Sequence, residues 1–418
     1  MLRFKERAIA IGAVLGLVIM AGGCAPTYLP GCTIATCGTG WWTAKKRLTS
    51  FQGLVTAGFK QQQHLNDLAF PLLVAAAPIC APAVMPRNGL FFLSVTTTNE
   101  TYRAAYAGIG ITESLSVVGV TKNSGAERAG VRAGDRVLTI GGKAAPVGKD
   151  AVALGIEQSV RAYDAGGPMA LTVRRDSSVL EFQVAADTGC TYAVVILPAN
   201  PTFFWGRDLN AWVGPNAIYV TDEMAAALTD QQFTVLLAHE IAHGTMHLSA
   251  VTSSAQTSAL YKNALAGTAN VIIGLLVVGE ALAGASSPMY TPFVDFTSTN
   301  KQLANASYSP PRERDADYLS LYLLARARDS LALASEFWHQ AIATDSTAEA
   351  LRKSTFVGNH PVSEGRFACM SETVTEIDSA RASATALLPA FAPVDSAGTH
   401  AIVVTAAPAG CRPGTAGR

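Results

Sequence analysis

Two histidines one helical turn apart, His239 and His243, with Glu240 directly after the first, are the residues of this chain best suited to chemistry. On an α-helix the side chains at i and i+4 share a face, so both imidazoles can reach one tetrahedral Zn²⁺. A carboxylate beside them can take a proton from water at that ion and pass it on to a leaving group. Two ligands do not complete such a site. One class of zinc enzymes takes a third histidine six residues further on, but position 249 is Ser249. His247 lies two turns from His239, too far along the helix to share the ion. The better candidate is downstream, in Glu313-Arg314-Asp315-Ala316-Asp317, where Glu313 and Asp317 are four apart and share a face. A His₂Glu set leaves a fourth position to water, and Asp317 is placed to hold the N–H of a ligating histidine. Standing alone, acidic residues in a first helical turn would be ordinary complements of the helix dipole.

These residues need two helices and a sheet to position them. Thr229, with Gln232 three residues on, forms a capping box at the start of the first helix, which runs to about position 249. Ser309 followed by Pro310 and Pro311 opens the second, because proline costs little where helical N–H groups have no partner. Residues 192–197 and 210–220 read as strands, and 48–77 as mostly helical, until Pro78, Pro82 and Pro86 break the pattern. Between the helices, 264–284 is apolar, rich in Gly and Ala, and charged only at Glu280. It is long enough to span a bilayer. A span there would have to return the chain to the same side to bring Glu313 back, which argues against one, and whether the segment enters a membrane stays open.

From 95 to 187 the texture changes to short β-rich runs separated by glycine. The run from Ser124 through Gly130, Val131, Gly134 and Asp135 to Gly142 resembles the central motif of the PDZ domains of HtrA-type proteases. Strands at 169–174 and 179–185 fit around it. The resemblance implies a domain that takes up a polypeptide C-terminus as an added strand, with Gly108, Ile109, Gly110 and Ile111 as the carboxylate-binding loop. The alternative is a β-rich domain that binds nothing.

The chain opens with basic residues (Arg3, Lys5, Arg7), an apolar run over 8–20, then Ala21-Gly22-Gly23-Cys24. This is the pattern of a secretory signal, and the run is short for a membrane span. It resembles a bacterial lipobox, implying cleavage before Cys24, a lipid on its sulfur and attachment to the cell envelope on the periplasmic face. Ala25, where sorted lipoproteins kept at the inner membrane carry Asp, favours the outer membrane. Six further cysteines (Cys32, Cys37, Cys80, Cys190, Cys369, Cys411) suit disulfides in that compartment, with the pairing left open among fifteen possibilities. Lys plus Arg equals Asp plus Glu at 31 each, with no basic excess of the kind that nucleic-acid binders show.

Taken together, the zinc motifs resemble the gluzincin peptidases typified by the HtpX heat-shock protease, the CAAX prenyl protease and soluble periplasmic relatives such as BepA. Asn210-Ala211-Trp212 resembles the family's edge strand above the zinc, which pairs with extended substrate. His239 to His243 matches the metal helix, and Glu313 to Asp317 the "E-x-x-A-D" that supplies the third ligand. His360-Pro361 with Arg366 resembles "H-P-x-x-x-x-R", implying a histidine that approaches the metal and an arginine that stabilises the transition state. A capped helix start is the simpler reading of His360-Pro361. The chain departs from the family at Ser309-Pro310, where "S-R" is usual. The expectation is an α+β protein. Its segments are a lipoprotein signal at 1–23, a tether at 24–47, a helical part at 48–94, a PDZ domain at 95–188, a mostly helical zincin domain with a small sheet at 189–385, and a tail at 386–418. The implied activity is zinc-dependent endopeptidase action on unfolded or misassembled envelope proteins. A non-catalytic PDZ adaptor and a processing protease with a narrow substrate range are the alternatives.

Overall fold

The computed structural model describes residues 41–80, 83–97, 100–197, 209–214, 217–248, 308–342, 349–396, 399–404 and 411. The signal pattern with Cys24, the cysteines Cys32 and Cys37, and the 264–284 segment lie outside them. No helix among the described residues is long and apolar enough to cross a membrane.

Helix α1 (Trp41–Ala75) starts seven residues before the expected boundary at 48. No Gly or Pro occurs between Trp41 and Gln52 to stop it, so part of the expected tether is helical. After a short helical turn, β1 (Val84–Arg87) leads out to a β unit, and β8 (Asp187–Cys190) leads back, the two pairing antiparallel from Val84↔Cys190 to Arg87↔Asp187. A disulfide between Cys80 and Cys190 closes the base of this two-stranded neck.

The β unit comprises β2 (Leu90–Leu93), α2 (Glu100–Gly108), β3 (Ser116–Val120), α3 (Gly125–Ala129), β4 (Arg136–Ile140), β5 (Lys143–Ala144), α4 (Ala151–Arg161), β6 (Met169–Arg175) and β7 (Ser178–Val184). Its strands run β2-β3-β4-β6-β7, all antiparallel, with β5 on β4. Met85, Leu90, Phe92, Val117, Ala126, Val131, Ile140, Ile156 and Leu171 share its core. The unit therefore begins before position 95, because β2 is one of its strands. Asp135 of the glycine-rich motif is buried, and its carboxylate accepts from the Arg132 N–H (2.8 Å) and from Arg175 (2.7 Å). That is the structural work of the Gly-Asp step, an internal ion pair that closes the turn before β4.

The second unit has its own core. A three-stranded sheet, in the order β10 (Ala211–Val213), β11 (Ala217–Thr221), β9 (Ala193–Leu197), pairs β11 antiparallel to β10 and parallel to β9. The buried Gln62 of α1 covers the other side of β9, its Nε2 donating to Val194 O (2.8 Å) and its Oε1 accepting from the Ile196 N–H (3.1 Å). Helix α5 (Asp222–Ala227) leads into α6 (Asp230–Leu248), and α7 (Pro310–Ala327) packs along α6. Both are apolar on nearly every face: Phe233, Val235, Leu236, Leu237, Ala238, Ile241 and Ala242 on α6, and every residue from Ala316 to Ala325 on α7, are buried. A helix that is apolar all round belongs at the centre of a fold. Helices α1, α8 (Ala332–Ile342), α9 (Thr355–Asn359) and α10 (Glu364–Ala382) surround this pair. The segment read as a tail holds a hairpin, β12 (Phe391–Ser396) with β13 (Thr399–Val404), and Cys411 bonds to Cys369 of α10. The architecture is α+β.

Candidate metal centre

Each donor owes its place to local sequence. The capping box at the head of α6 forms, with the Thr229 N–H donating to Gln232 Oε1 (2.9 Å) and the Gln232 N–H to Thr229 Oγ1 (3.3 Å). Two turns later His239 and His243 point one way, their Nε2 atoms 3.1 Å apart. Helix α7 starts at Pro310 after Ser309, and its first turn presents Glu313 to both rings, Oε2 3.5 Å from His239 Nε2 and Oε1 3.2 Å from His243 Nε2. One turn on, Asp317 Oδ1 lies 3.1 Å from His239 Nδ1, which leaves Nε2 as that ring's donor to a metal.

His360 joins them. It is the C-terminal cap of α9, and its Nδ1 lies 2.9 Å from Phe356 O. A proton on Nδ1 makes that contact a hydrogen bond and leaves a lone pair on Nε2. One donor atom each from His239, His243, Glu313 and His360 all lie within 4.8 Å of one another, and all four residues are buried. His360 Nε2 is 3.3 Å from Glu240 Oε1. His360-Pro361 therefore ends one helix and does not start the next, which has Ser363 as its N-cap, and the His360 ring stands among the donors.

Arg366 differs from its expected part. It is fully buried, with Nε 2.6 Å from Asp317 Oδ2, Nη2 2.8 Å from Asp317 Oδ1 and Nη1 3.0 Å from Glu313 Oε2. Its guanidinium carbon sits 3.8 Å from the centre of the Trp338 ring. So placed, it supports the carboxylates that face the histidines.

Burial and charge set the titration of the group. Burial opposes charge on His239, but Asp317 and Glu313 outweigh it and raise its pKa to about 9. Burial opposes charge on Glu313 too, yet His360, His239 and His243 hold its carboxyl well below the usual range. Glu240 is pushed up to about 8 by burial, and His360 is driven down to about 3 for the same reason. A buried carboxylate among imidazoles, with the Glu240 oxygens and His360 Nε2 making no hydrogen bond of their own, is a costly arrangement for an apo core. A divalent cation would satisfy these groups, and three imidazoles with a carboxylate are a donor set that suits zinc.

Several residues of the site escaped the sequence. The Tyr308 ring stacks on His243 at 4.0 Å, Trp338 meets His239 edge-on at 4.9 Å, and Phe356 lies 4.4 Å from His360. They belong to no short motif, and only proximity in the fold brings them in. Gly244 carried a legible signal. Tyr192 Oη donates to its carbonyl (2.8 Å), and a Cβ there would come within 2.8 Å of the Tyr192 ring. Only glycine lets β9's neighbour approach the metal helix so closely.

Of the expected substrate strand, Ala211 and Trp212 lie in β10 and Asn210 just before it. All three are buried, and β10 packs on α6. The outer side of β10 has no strand partner among the described residues. The 108–111 segment departs from its expected role. Gly108 ends α2, and the N–H groups of Ile109, Gly110 and Ile111 bond to the carbonyls of Tyr106, Ala107 and Tyr106. These donors close the helix and leave no cradle for a carboxylate.

Residues 193–374, which hold every member of the metal cluster, match the model of Peptidase family M48, whose peptidases depend on a metal. No curated protein matches the chain. Among solved structures, the crystal structure of the HtrA3 PDZ domain bound to a phage-derived ligand (FGRWV) is similar at 19% identity, with a TM-score of 0.19, over 25% of this chain and 88% of that chain.

Proposed function

We propose that this chain is a zinc-dependent endopeptidase that cleaves unfolded or misassembled polypeptides in a bacterial envelope. The observation that carries the reading is the convergence of His239, His243 and Glu313 on one point with Glu240 beside them, inside the segment that matches a metallopeptidase family. A zinc ion held there would polarise a peptide carbonyl and acidify water at its open position. The chain's own residues do the rest. Glu240, one residue from His239 on the same helix, receives a proton from the attacking water and returns it to the departing amine. Asp317 and Arg366 fix the His239 ring so that Nε2 faces the reaction. The free side of β10 offers an extended substrate backbone hydrogen bonds that do not depend on side chains, in keeping with broad specificity.

Export and lipid anchoring at Cys24 are supported by the signal-like sequence and by the Cys80–Cys190 and Cys369–Cys411 disulfides, which endure in oxidising compartments. The β unit, with its PDZ-like motif, would recruit or gate substrates. One observation favours a second reading. With His360 the donor set numbers four, and closed four-ligand zinc sites are usually structural. On that reading the chain is a non-catalytic adaptor.

Metal analysis of the purified chain, followed by casein hydrolysis with wild type and Glu240→Gln, decides between them. We expect one zinc per chain in both and a loss of at least about 100-fold in rate for the variant. Zinc in both with equal rates, or with no hydrolysis by either, would establish the adaptor. Trapping with Glu240→Gln in cells would distinguish many clients from the single client of a processing protease.

A further inference from the structure

An open depression of about 560 Å³ lies at the end of α7 that is far from the metal residues. Ala325, Arg326 and Arg328 line it from α7, Arg381 from the last turn of α10, and Leu387 from the chain beyond. Arg326 is roughly 20 Å along α7 from Glu313, so the depression is separate from the metal centre.

Arginines at helix ends commonly cap the last carbonyls or complement the helix dipole. Here the backbone itself caps those carbonyls. After α7, the Arg328 N–H donates to the Ala325 and Leu324 carbonyls, and the Asp329 N–H to Leu324 O (2.9 Å). After α10, the N–H groups of Ser383, Ala384 and Thr385 donate to Ser379 O (3.0 Å), Arg381 O (3.2 Å) and Ala380 O (3.0 Å). The three guanidiniums are not needed for that work.

Their own partners are few. Arg326 is half-buried, and donates from Nε to Ala75 O (2.7 Å) and from Nη1 to Leu387 O (3.1 Å), both neutral. These bonds fix its plane and leave Nη2 without a hydrogen bond among the described residues. Burial lowers its pKa, and no carboxylate offsets this. The exposed Arg328 side chain has no hydrogen-bond or ionic partner among the described residues. Its backbone is left-handed, with φ +67°, where glycine or asparagine usually ends a helix. Asp329, next in the chain, does not neutralise it, since burial raises that carboxyl and no cation lowers it. Arg381 pairs with Asp378 at 3.4 Å, with both side chains exposed. Three cations thus line one depression, and a single exposed carboxylate pairs with them. A concave surface of one sign draws in the opposite charge.

We propose that this depression binds a phosphate group carried on a larger molecule. Guanidiniums grip phosphate oxygens through paired N–H groups, and a phosphate offers acceptors to several arginines at once. The volume is that of an ordinary ligand pocket and leaves room for what the phosphate is attached to. Ala325 and Leu387 give it an apolar side, and Leu388, next along, is 48% exposed. A phospholipid headgroup and a soluble phosphate ester share this chemistry. The inference goes beyond the hydrolytic reading and does not depend on it, since it concerns binding alone.

Isothermal titration calorimetry on the full chain tests it with three probes. They are glycerol 3-phosphate, dihexanoyl phosphatidylglycerol kept below micelle formation, and dihexanoyl phosphatidylcholine, whose choline would meet the arginines with like charge. At least one of the two anionic probes should bind with a Kd below about 1 mM, and phosphatidylcholine at least tenfold more weakly. Both outcomes of the comparison between anionic probes support the proposal: tighter glycerol 3-phosphate assigns the site to a soluble ester, and tighter phosphatidylglycerol to a lipid headgroup. Arg328→Gly combined with Arg381→Ala should weaken the anionic probes at least tenfold. Glycine suits the backbone at position 328 and both side chains are exposed, so the fold should persist, as a thermal melt checks. No binding of either anionic probe up to about 1 mM, phosphatidylcholine binding as tightly as they do, or undiminished binding by the variant would each overturn the proposal. Should the paired substitutions disturb the fold, the phosphatidylcholine comparison and Arg328→Gly alone still decide it.

Discussion

Arg366 clasps Asp317 through two near-parallel hydrogen bonds, Nε to Oδ2 at 2.6 Å and Nη2 to Oδ1 at 2.8 Å, in a place where neither side chain meets solvent. Asp317 in turn faces His239 Nδ1, and the same guanidinium reaches Glu313. Two of the candidate donors, Glu313 directly and His239 through Asp317, therefore rest on a single arginine. Replacing it with lysine keeps a positive charge but loses the fork. Arg366→Lys should weaken zinc binding by about 10–100-fold, read by competition with a chelator. It should also destabilise the fold by about 3 kcal/mol or more, read by denaturant unfolding, because a buried carboxylate pair is left short of donors. Unchanged zinc affinity with lowered turnover would return Arg366 to direct work in the reaction.

His360 tests the opposite property, surplus. With its Nε2 among the donors, the metal would have no position left for water, and the ring sits over Glu240. His360→Ala should keep zinc at wild-type stoichiometry and raise casein hydrolysis about tenfold, as expected when a largely closed population is opened. A rate that falls by orders of magnitude would instead make His360 a participant in the chemistry.

Gly244 is the third point of test. Alanine there forces its methyl group against the Tyr192 ring, at 2.8 Å before any relaxation. Gly244→Ala should cost about 1–3 kcal/mol of stability and reduce zinc occupancy, since the strain falls one residue from His243. A thermal melt with metal analysis on the same sample checks both. A Tm equal to wild type would show that the two elements separate freely.

The neck of the β unit can be opened chemically. The Cys80–Cys190 bond closes a loop spanning a sequence separation of 110. Its removal as Cys80→Ser with Cys190→Ser should lower stability by about 3–5 kcal/mol. Limited proteolysis should then cut first between the two units. Reductant added to the wild type should reproduce the effect, and resistance to both treatments would count against the neck as a brace.

The sequence made some of this legible and hid the rest for definite reasons. His239 with His243, and Glu313 with Asp317, obey helical spacing, so each pair could be read from a short window. The strands at 169–175 and 178–184 could be read from alternation and turn residues. The support by Arg366, Trp338 and Phe356 could not, because these residues come from helices far apart in the chain, nor could that by Tyr308, which stands just before α7 and belongs to no motif. The Gly-Ile-Gly-Ile run was misleading, since whether an N–H points outward depends on the helix before it, and α2 takes those donors for its own end. The reach of α1 back to Trp41 and the assignment of β2 to the β unit were boundary questions that packing decides.

Gln62 gives the three-stranded sheet a direction. Its side-chain amide offers β9 one acceptor and one donor, the pair a neighbouring strand would have offered, and so caps that flank. Lateral growth of the sheet is thereby confined to β10, the flank nearest the metal helix. One glutamine thus shields β9 from pairing with another copy of the chain, and the flank of this sheet left without a strand partner among the described residues is the one beside α6.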